Sequence, residues 1–224
     1  MQYESSMHFI KRHIMSSLTF KKWCKFSEMR PDKVDSNLYN YHLRSLIKDG
    51  WIEKVESKGY RLTPRGLRFA DLVSPKTFQT QLQAKTIIMM LIKNPKGEVM
   101  LWKRKKQPFI DSWTLPNGKT HYEDPSLAVS VERDCDKFFG DKPTSYKHIG
   151  VVEVNAKVKD KVISHIIAQL YSVEINPDSP VPEQTQWFNM DDIKKLRLAP
   201  AVEDILKIDS ASTALTYHHF EVDW

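Results

Sequence analysis

The stretch 115–140, LPNGKTHYEDPSLAVSVERDCDKFFG, constrains the fold most, because it reads as a loop that leads into a helix with one buried stripe. Pro116-Asn117-Gly118 is a turn. Lys119 to Asp124 is a polar loop. Pro125 suits the first position of a helix, where its missing N–H has no intrahelical partner to lose. Asp124 just before it can cap that helix. Leu127, Val131, Cys135 and Phe138 or Phe139 fall at helical spacing, and Gly140 supplies the stop. The other face carries Glu132, Arg133, Asp134, Asp136 and Lys137.

Strands surround this loop-helix. Residues 85–93, KTIIMMLIK, form a fully apolar strand, 94–97 turn, and EVMLWKRKK is the partner strand. Two longer strands, about 146–158 and 161–175, meet at a tight Lys159-Asp160 hairpin. A proline-rich loop follows. After it come a short strand at Trp187-Phe188, a helix beginning near Asp191 and a last helix from about Pro200. The order over 85–210 is strands, loop-helix, strands, helix.

The loop-helix resembles the signature of the Nudix family, G-x5-E-x7-R-E-U-x-E-E-x-G-U, in which U is a bulky aliphatic. The order of strands and helices matches that family too, and the resemblance implies its α/β/α sandwich over 85–210. The family's glutamates hold a divalent metal against a diphosphate. Gly118 matches the opening glycine and Asp124 stands for the first glutamate. Aligned from Gly140, Arg133 and Asp134 are the R-E pair and Cys135 is the buried U, which requires one inserted residue in the loop. That register buries Cys135 rather than Asp134, and it puts Lys137 and Phe138 at the E-E pair. In the other register the E-E pair reads Asp136-Lys137 and the R-E pair reads Glu132-Arg133. In both, a lysine stands where the family has a metal ligand, and a hard cation needs several oxygen ligands. The remnants of a catalytic set are Asp124, Asp134, Asp136 and Glu183, and the residues left for a weak cation are Glu123, Asp124 and Asp134. The resemblance places Arg104, Trp113, Asn117, Lys119 and Glu183 around a ligand. Trp113 and Trp187 also read as core, since large aromatics are usually well buried. His121 has no second histidine at metal spacing, so zinc is not expected.

Residues 1–74 have a different pattern. Residues 7–18 read as a helix, 20–29 as a shorter one around Trp23, Phe26 and Met29, and Arg30-Pro31-Asp32 breaks it. Asp35 or Ser36 caps a third helix that Gly50 ends, with Tyr39, Leu43, Leu46 and Ile47 inside. Its other face carries Asn37, Tyr41, Arg44 and Lys48, with Asn40 beside them. WIEKVES, a Lys58-Gly59 turn and YRLT make a hairpin, and Pro64 starts a closing helix. The run HLRSLIKDGWIEKVESKGYRLTPRG resembles the recognition helix and wing of small bacterial transcription regulators. That resemblance implies a winged helix-turn-helix. Asn and Arg on the exposed face can read base edges in a major groove, while Lys54, Lys58 and Arg61 on the wing meet phosphates. His42 lies beside the buried stripe and reads as packing.

Charge divides the chain in the same way. Residues 1–75 hold 14 Lys and Arg against 8 Asp and Glu, a surplus of +6, and the remaining 20 against 20 cancel. The basic part calls for an anionic partner, double-stranded DNA first. Residues 75–84 read as a polar linker. The 224 residues contain no apolar run near the ~18 of a membrane span and no signal-peptide core at the start, so a cytoplasmic location is expected. Cys24 and Cys135, far apart and in apolar helical contexts, read as buried free thiols. The tail 211–224 ends in Leu215, Tyr217, Phe220, Val222 and Trp224, so it is expected to pack on the second domain or across a homodimer interface.

Three functions fit this organisation. In the first, a winged helix binds DNA and a catalytically degenerate Nudix-like domain senses a nucleotide or phosphorylated sugar derivative, with no cofactor required. In the second, a Nudix hydrolase uses Mg2+ or Mn2+ at a divergent site to cleave a nucleoside diphosphate derivative. In the third, both modules bind protein partners as a scaffold.

Overall fold

The computed structural model describes residues 7–74, 78–79, 82–176, 178–210 and 214–224. The chain divides into two units, Met1–Leu82 and Gln83–Trp224. Parts of both segments read as linker and tail, 75–77, 80–81 and 211–213, lie outside the described residues.

In the first unit, α1 (Phe9–Phe20) buries Ile10, Ile14, Met15 and Leu18. The segment 20–29 is not the helix that its apolar spacing predicts. Only Phe26–Met29 coils, as a single 3-10 turn. Tertiary pairing overrides the local spacing there: Cys24 N–H donates to the Tyr60 carbonyl at 3.1 Å and Tyr60 N–H to the Cys24 carbonyl at 2.8 Å. In α2 (Ser36–Lys48), the Asp35 carboxylate accepts from Asn37 N and Leu38 N, a full N-cap. Its buried residues are Tyr39, His42, Leu43 and Leu46, while Ile47 is 38% exposed. The stripe is therefore turned towards His42, whose ring stacks on His8 at 4.0 Å. A hairpin follows, β1 (Ile52–Val55) against β2 (Gly59–Leu62), then α3 (Pro64–Leu72) capped by Thr63. Phe78, inside the segment read as linker, is buried with Phe69 and Val73 in this unit's core.

The second unit is built on β3 (Lys85–Ile92). Its side chains alternate between two cores: Ile87, Met89 and Leu91 face one, Ile88, Met90 and Ile92 the other. A strand buried on both faces reads as a continuous apolar run, which is what this segment is. The other strands are β4 (Val99–Lys103), β5 (Trp113–Thr114), β6 (Asn117–Lys119), β7 (Ser145–Val158), β8 (Lys161–Glu174), β9 (Thr185–Phe188) and β10 (Thr216–Asp223). A five-stranded mixed sheet runs β10-β7-β8-β3-β6, and a three-stranded sheet runs β5-β4-β9. The β7–β8 hairpin turns through Lys159 and Asp160, both at positive φ. β10 lies parallel to β7 at the outer edge of the larger sheet. β4 is not the ladder partner of β3 that its sequence position suggests. One bridge, Lys93 to Val99, joins them, and β4 pairs with β5 and β9 instead. Val99 and Leu101 enter one core and Met100 the other, so β4 contributes to the same two cores as β3.

α4 (Leu127–Phe139) packs Val131, Cys135 and Phe139 onto one core. Ile193 of α5 (Met190–Ile193) and Val202 and Ile205 of α6 (Val202–Ile205) join the other. The unit is a mixed α/β arrangement with helices on both sides. Among the described residues, no helix is long and apolar enough to cross a membrane.

Candidate functional site

The loop-helix is bolted at its mouth. Ser126, not Asp124, caps α4 by accepting from Val129 N. Asp124 is engaged elsewhere. The Arg133 guanidinium donates to both of its oxygens, the Ser130 hydroxyl donates at 2.6 Å and His121 N–H at 2.8 Å. Arg133, then Ser130 and the His121 amide, hold its carboxyl well below the usual carboxylate range. Arg133 also donates to the Lys119 carbonyl at 2.8 Å, so one side chain ties β6, the loop and α4 together.

Asp134 is only 4% exposed and Cys135 is fully buried, so the helix buries both residues rather than choosing Cys135. Gly118 makes room: a Cβ there would come within 1.9 Å of Asp134 Oδ2. Asp134 Oδ1 accepts weakly from Arg133 Nε at 3.4 Å, and Oδ2 has no hydrogen-bond partner among the described residues. Burial pushes this carboxyl up, against the charges of Arg133, Lys137 and His121.

A cavity of about 770 Å3 opens beside β6 and α4. Its wall holds six cationic side chains, Lys85, Arg104, Lys106, Lys119, Arg133 and Lys137, against two carboxylates, Asp134 and Glu183. Of the residues expected around a ligand, Arg104, Asn117, Lys119 and Glu183 line it. Trp113 does not. It packs edge-on against Phe188 at 4.8 Å, as core. Glu123, Asp124 and Asp136 also lie outside the cavity wall, and Asp136 is exposed on α4. Among the described residues, no group of three or more His, Cys, Asp or Glu is placed to hold a metal.

Among the cavity-lining residues that the sequence reading left out are Trp102, Phe138 and Lys137. Trp102 sits edge-on to Phe138 at 5.5 Å, and its Nε1 is buried without a partner among the described residues. Period-2 alternation could have found Trp102, two residues before Arg104. Lys137 and Phe138 stand one helical turn beyond Asp134, the spacing that puts side chains on one face.

The first unit presents the second candidate surface. Asn37, Tyr41, Arg44 and Lys48 of α2 are exposed, Tyr41 at 68%, and Asn40 is half-buried. Lys54, Lys58 and Arg61 of the hairpin are exposed. Lys58 and Arg61 both lie 5.2 Å from the centre of the Trp23 ring, a cation–π platform that the sequence alone did not reveal. Arg61 is also paired with Glu53 across the hairpin. Arg65 stacks on Trp51 at 4.4 Å and donates to the Asp49 carbonyl, fixing the end of α2 against α3.

Both cysteines are free and buried. Burial raises the Cys24 thiol and pushes Cys135 up to about 12. A thiol-reactive dye at pH 8 should therefore count close to zero thiols in the native protein and both after unfolding, since only the thiolate reacts. Fast labelling of either in the folded state would show local opening of its core.

No protein-family model matches the chain, and no curated protein matches it. Solved structures do align with it. Shewanella oneidensis NrtR aligns at 16% identity over 55% of this chain and 59% of its own, with a TM-score of 0.44. The NUDIX domain of that protein complexed with ADP ribose aligns at 18% identity over 62% and 93%, with a TM-score of 0.48. A MutT NUDIX hydrolase from Burkholderia pseudomallei aligns at 23% identity over 58% and 100%, with a TM-score of 0.49. The chain thus spans 59% of the length of the intact Shewanella protein. At identities under a quarter and TM-scores under 0.5, these likenesses assign neither a family nor an activity.

Proposed function

We propose that this chain is a cytoplasmic DNA-binding transcription regulator. The first unit is its winged helix, with α2 as recognition helix and β1–β2 as wing. The second is a Nudix-like unit whose cavity takes a nucleotide or phosphorylated sugar derivative and shifts DNA affinity. The reading includes a homodimer, which sedimentation of the intact chain tests. The observation that carries the proposal is the cavity wall: six cations against two carboxylates suit an anionic ligand and leave little with which to hold the metal that diphosphate hydrolysis uses. Asp124, a remnant of the catalytic pattern, is bound up in the Arg133 bolt.

Fluorescence anisotropy on a random duplex tests the DNA half. Binding is expected to weaken steeply with salt, because phosphate contacts release counterions. Lys58→Glu should weaken it about ten-fold at low salt and flatten the salt slope by about one or more. Absence of any duplex binding at low salt would leave the scaffold reading in its place. The hydrolase reading has its own check. Turnover of a nucleoside diphosphate derivative with Mg2+ or Mn2+, abolished by Asp134→Asn, would replace the sensor with an enzyme.

A further inference from the structure

The helix turn after Asp134 holds the informative departure. In the register aligned from Gly140, α4 has Lys137 and Phe138 where the resemblance expects two carboxylates for a divalent metal, and both line the cavity; in the other register Lys137 still takes one of the two places. The donor set does not fit a hard cation, which takes six or more oxygen ligands with carboxylates among them. Among the described residues one buried oxygen of Asp134 has no partner, and Lys137 stands one helical turn on, its charge favouring the ionised carboxyl. Lys137 is exposed on the helix, and no carboxylate is paired with Lys85, Lys119 or Lys137 among the described residues. Beside them the wall offers Trp102 and Phe138 as aromatic surface.

We infer that this cavity binds a nucleoside diphosphate directly, without a divalent cation, and that the Lys137 ammonium supplies the positive charge a metal would otherwise bring to the diphosphate. The inference rests on the ligand class proposed above and goes beyond it by naming the group that holds the diphosphate. A lysine is a point charge with three donors, suited to phosphate oxygens without strict geometry. Fixed cations already in the wall remove the need to desolvate and recruit an ion.

Isothermal titration of the full chain with ADP and with ADP-ribose, in EDTA and in millimolar Mg2+, tests it. Equal affinity in the two buffers is expected. Lys137→Glu should weaken binding about ten-fold or more in EDTA, the loss of one charged contact, and Mg2+ or Mn2+ should restore part of it, because two carboxylates would then face each other one helical turn apart. Lys137→Met should weaken binding similarly with no rescue by either metal. The position is exposed, so both variants should fold, Lys137→Glu melting somewhat below the wild type because it sets a second carboxylate beside buried Asp134, and a calorimetric scan verifies this. Wild-type binding that requires Mg2+ would overturn the Lys137 assignment while leaving the ligand class standing. So would a Lys137→Glu protein that binds as tightly as the wild type in EDTA. Failure of both nucleotides to bind in either buffer would overturn the inference and the ligand class together.

Discussion

Gly59→Ala should lower the melting temperature of the first unit by on the order of 10 °C and weaken duplex binding with it. Two causes act at this position. Its φ is +99°, a region that an L side chain rarely enters. A Cβ there would also lie 2.3 Å from the Cys24 carbonyl oxygen and 3.0 Å from its carbon, and both are backbone atoms that cannot swing away. Together these are worth about 3 kcal/mol, a large part of what a unit this small has in hand. The contact at risk is the two-bond bridge between Cys24 and Tyr60, which holds the hairpin against the chain next to Trp23. Losing it scatters the platform on which Lys58 and Arg61 gather. Gly50→Ala is the matched comparison. That glycine also has a positive φ, +72°, but nothing lies within 4 Å of the added Cβ, so only the strain of about 1 kcal/mol remains. If the two variants melted alike in calorimetry, the close approach to Cys24 would not be what places the hairpin.

The same bridge marks where sequence patterns stop being informative. Trp23, Phe26 and Met29 are spaced as on a helix, yet the backbone at Cys24 pairs with Tyr60, and nothing within 20–29 announces that partner. Elements whose causes are local were legible. Asp35 caps α2 and Gly50 ends it through side-chain and backbone preferences a few residues wide. The unbroken apolar run of β3 declared a strand covered on both faces. The strand character of β4 was equally plain, but its partner β9 is brought to it only by the fold. In the cavity, Arg104, Asn117, Lys119 and Glu183 were expected from the resemblance, and they line the wall. Lys137 was visible as a departure from that pattern, though not as a lining residue. The burial of Asp134 was not legible, because a charged residue beside an apolar stripe ordinarily faces water. What permits it is the missing Cβ of Gly118, on a different element.

Asp134 and Asp124 should therefore give opposite pH dependences of stability. Burial raises the Asp134 carboxyl above its unfolded value. Between the ordinary aspartate value of about 4 and the raised one, the folded chain keeps a proton that the unfolded chain has released, so the stability contribution falls as pH rises through that window. Above it the buried charge is a constant handicap. Asp134→Asn keeps the shape beside Gly118 and removes the charge. The second unit of that variant should melt a few degrees higher than wild type near neutral pH, with the gain vanishing as pH falls below about 4. Asp124 is the reverse case. Its carboxyl is held down by Arg133, Ser130 and the His121 amide, so its contribution is fully present above about pH 4 and is lost as pH falls through the depressed value. Asp124→Asn should melt below wild type at neutral pH, and the difference should fade in acid. Melting curves from pH 3 to 8 separate the two, and a neutral-pH loss for Asp134→Asn would mean that its charge is compensated in the fold. The pairing also bears on function. Asp124 holds the loop and stabilises the unit, while Asp134 lines the cavity and destabilises it, and a group kept at the expense of stability is what a ligand site is made of. Asp134→Asn should accordingly gain stability while its affinity for the nucleoside diphosphate changes. If stability rose and affinity stayed the same, Asp134 would belong to the packing of α4 against Gly118 and not to ligand recognition.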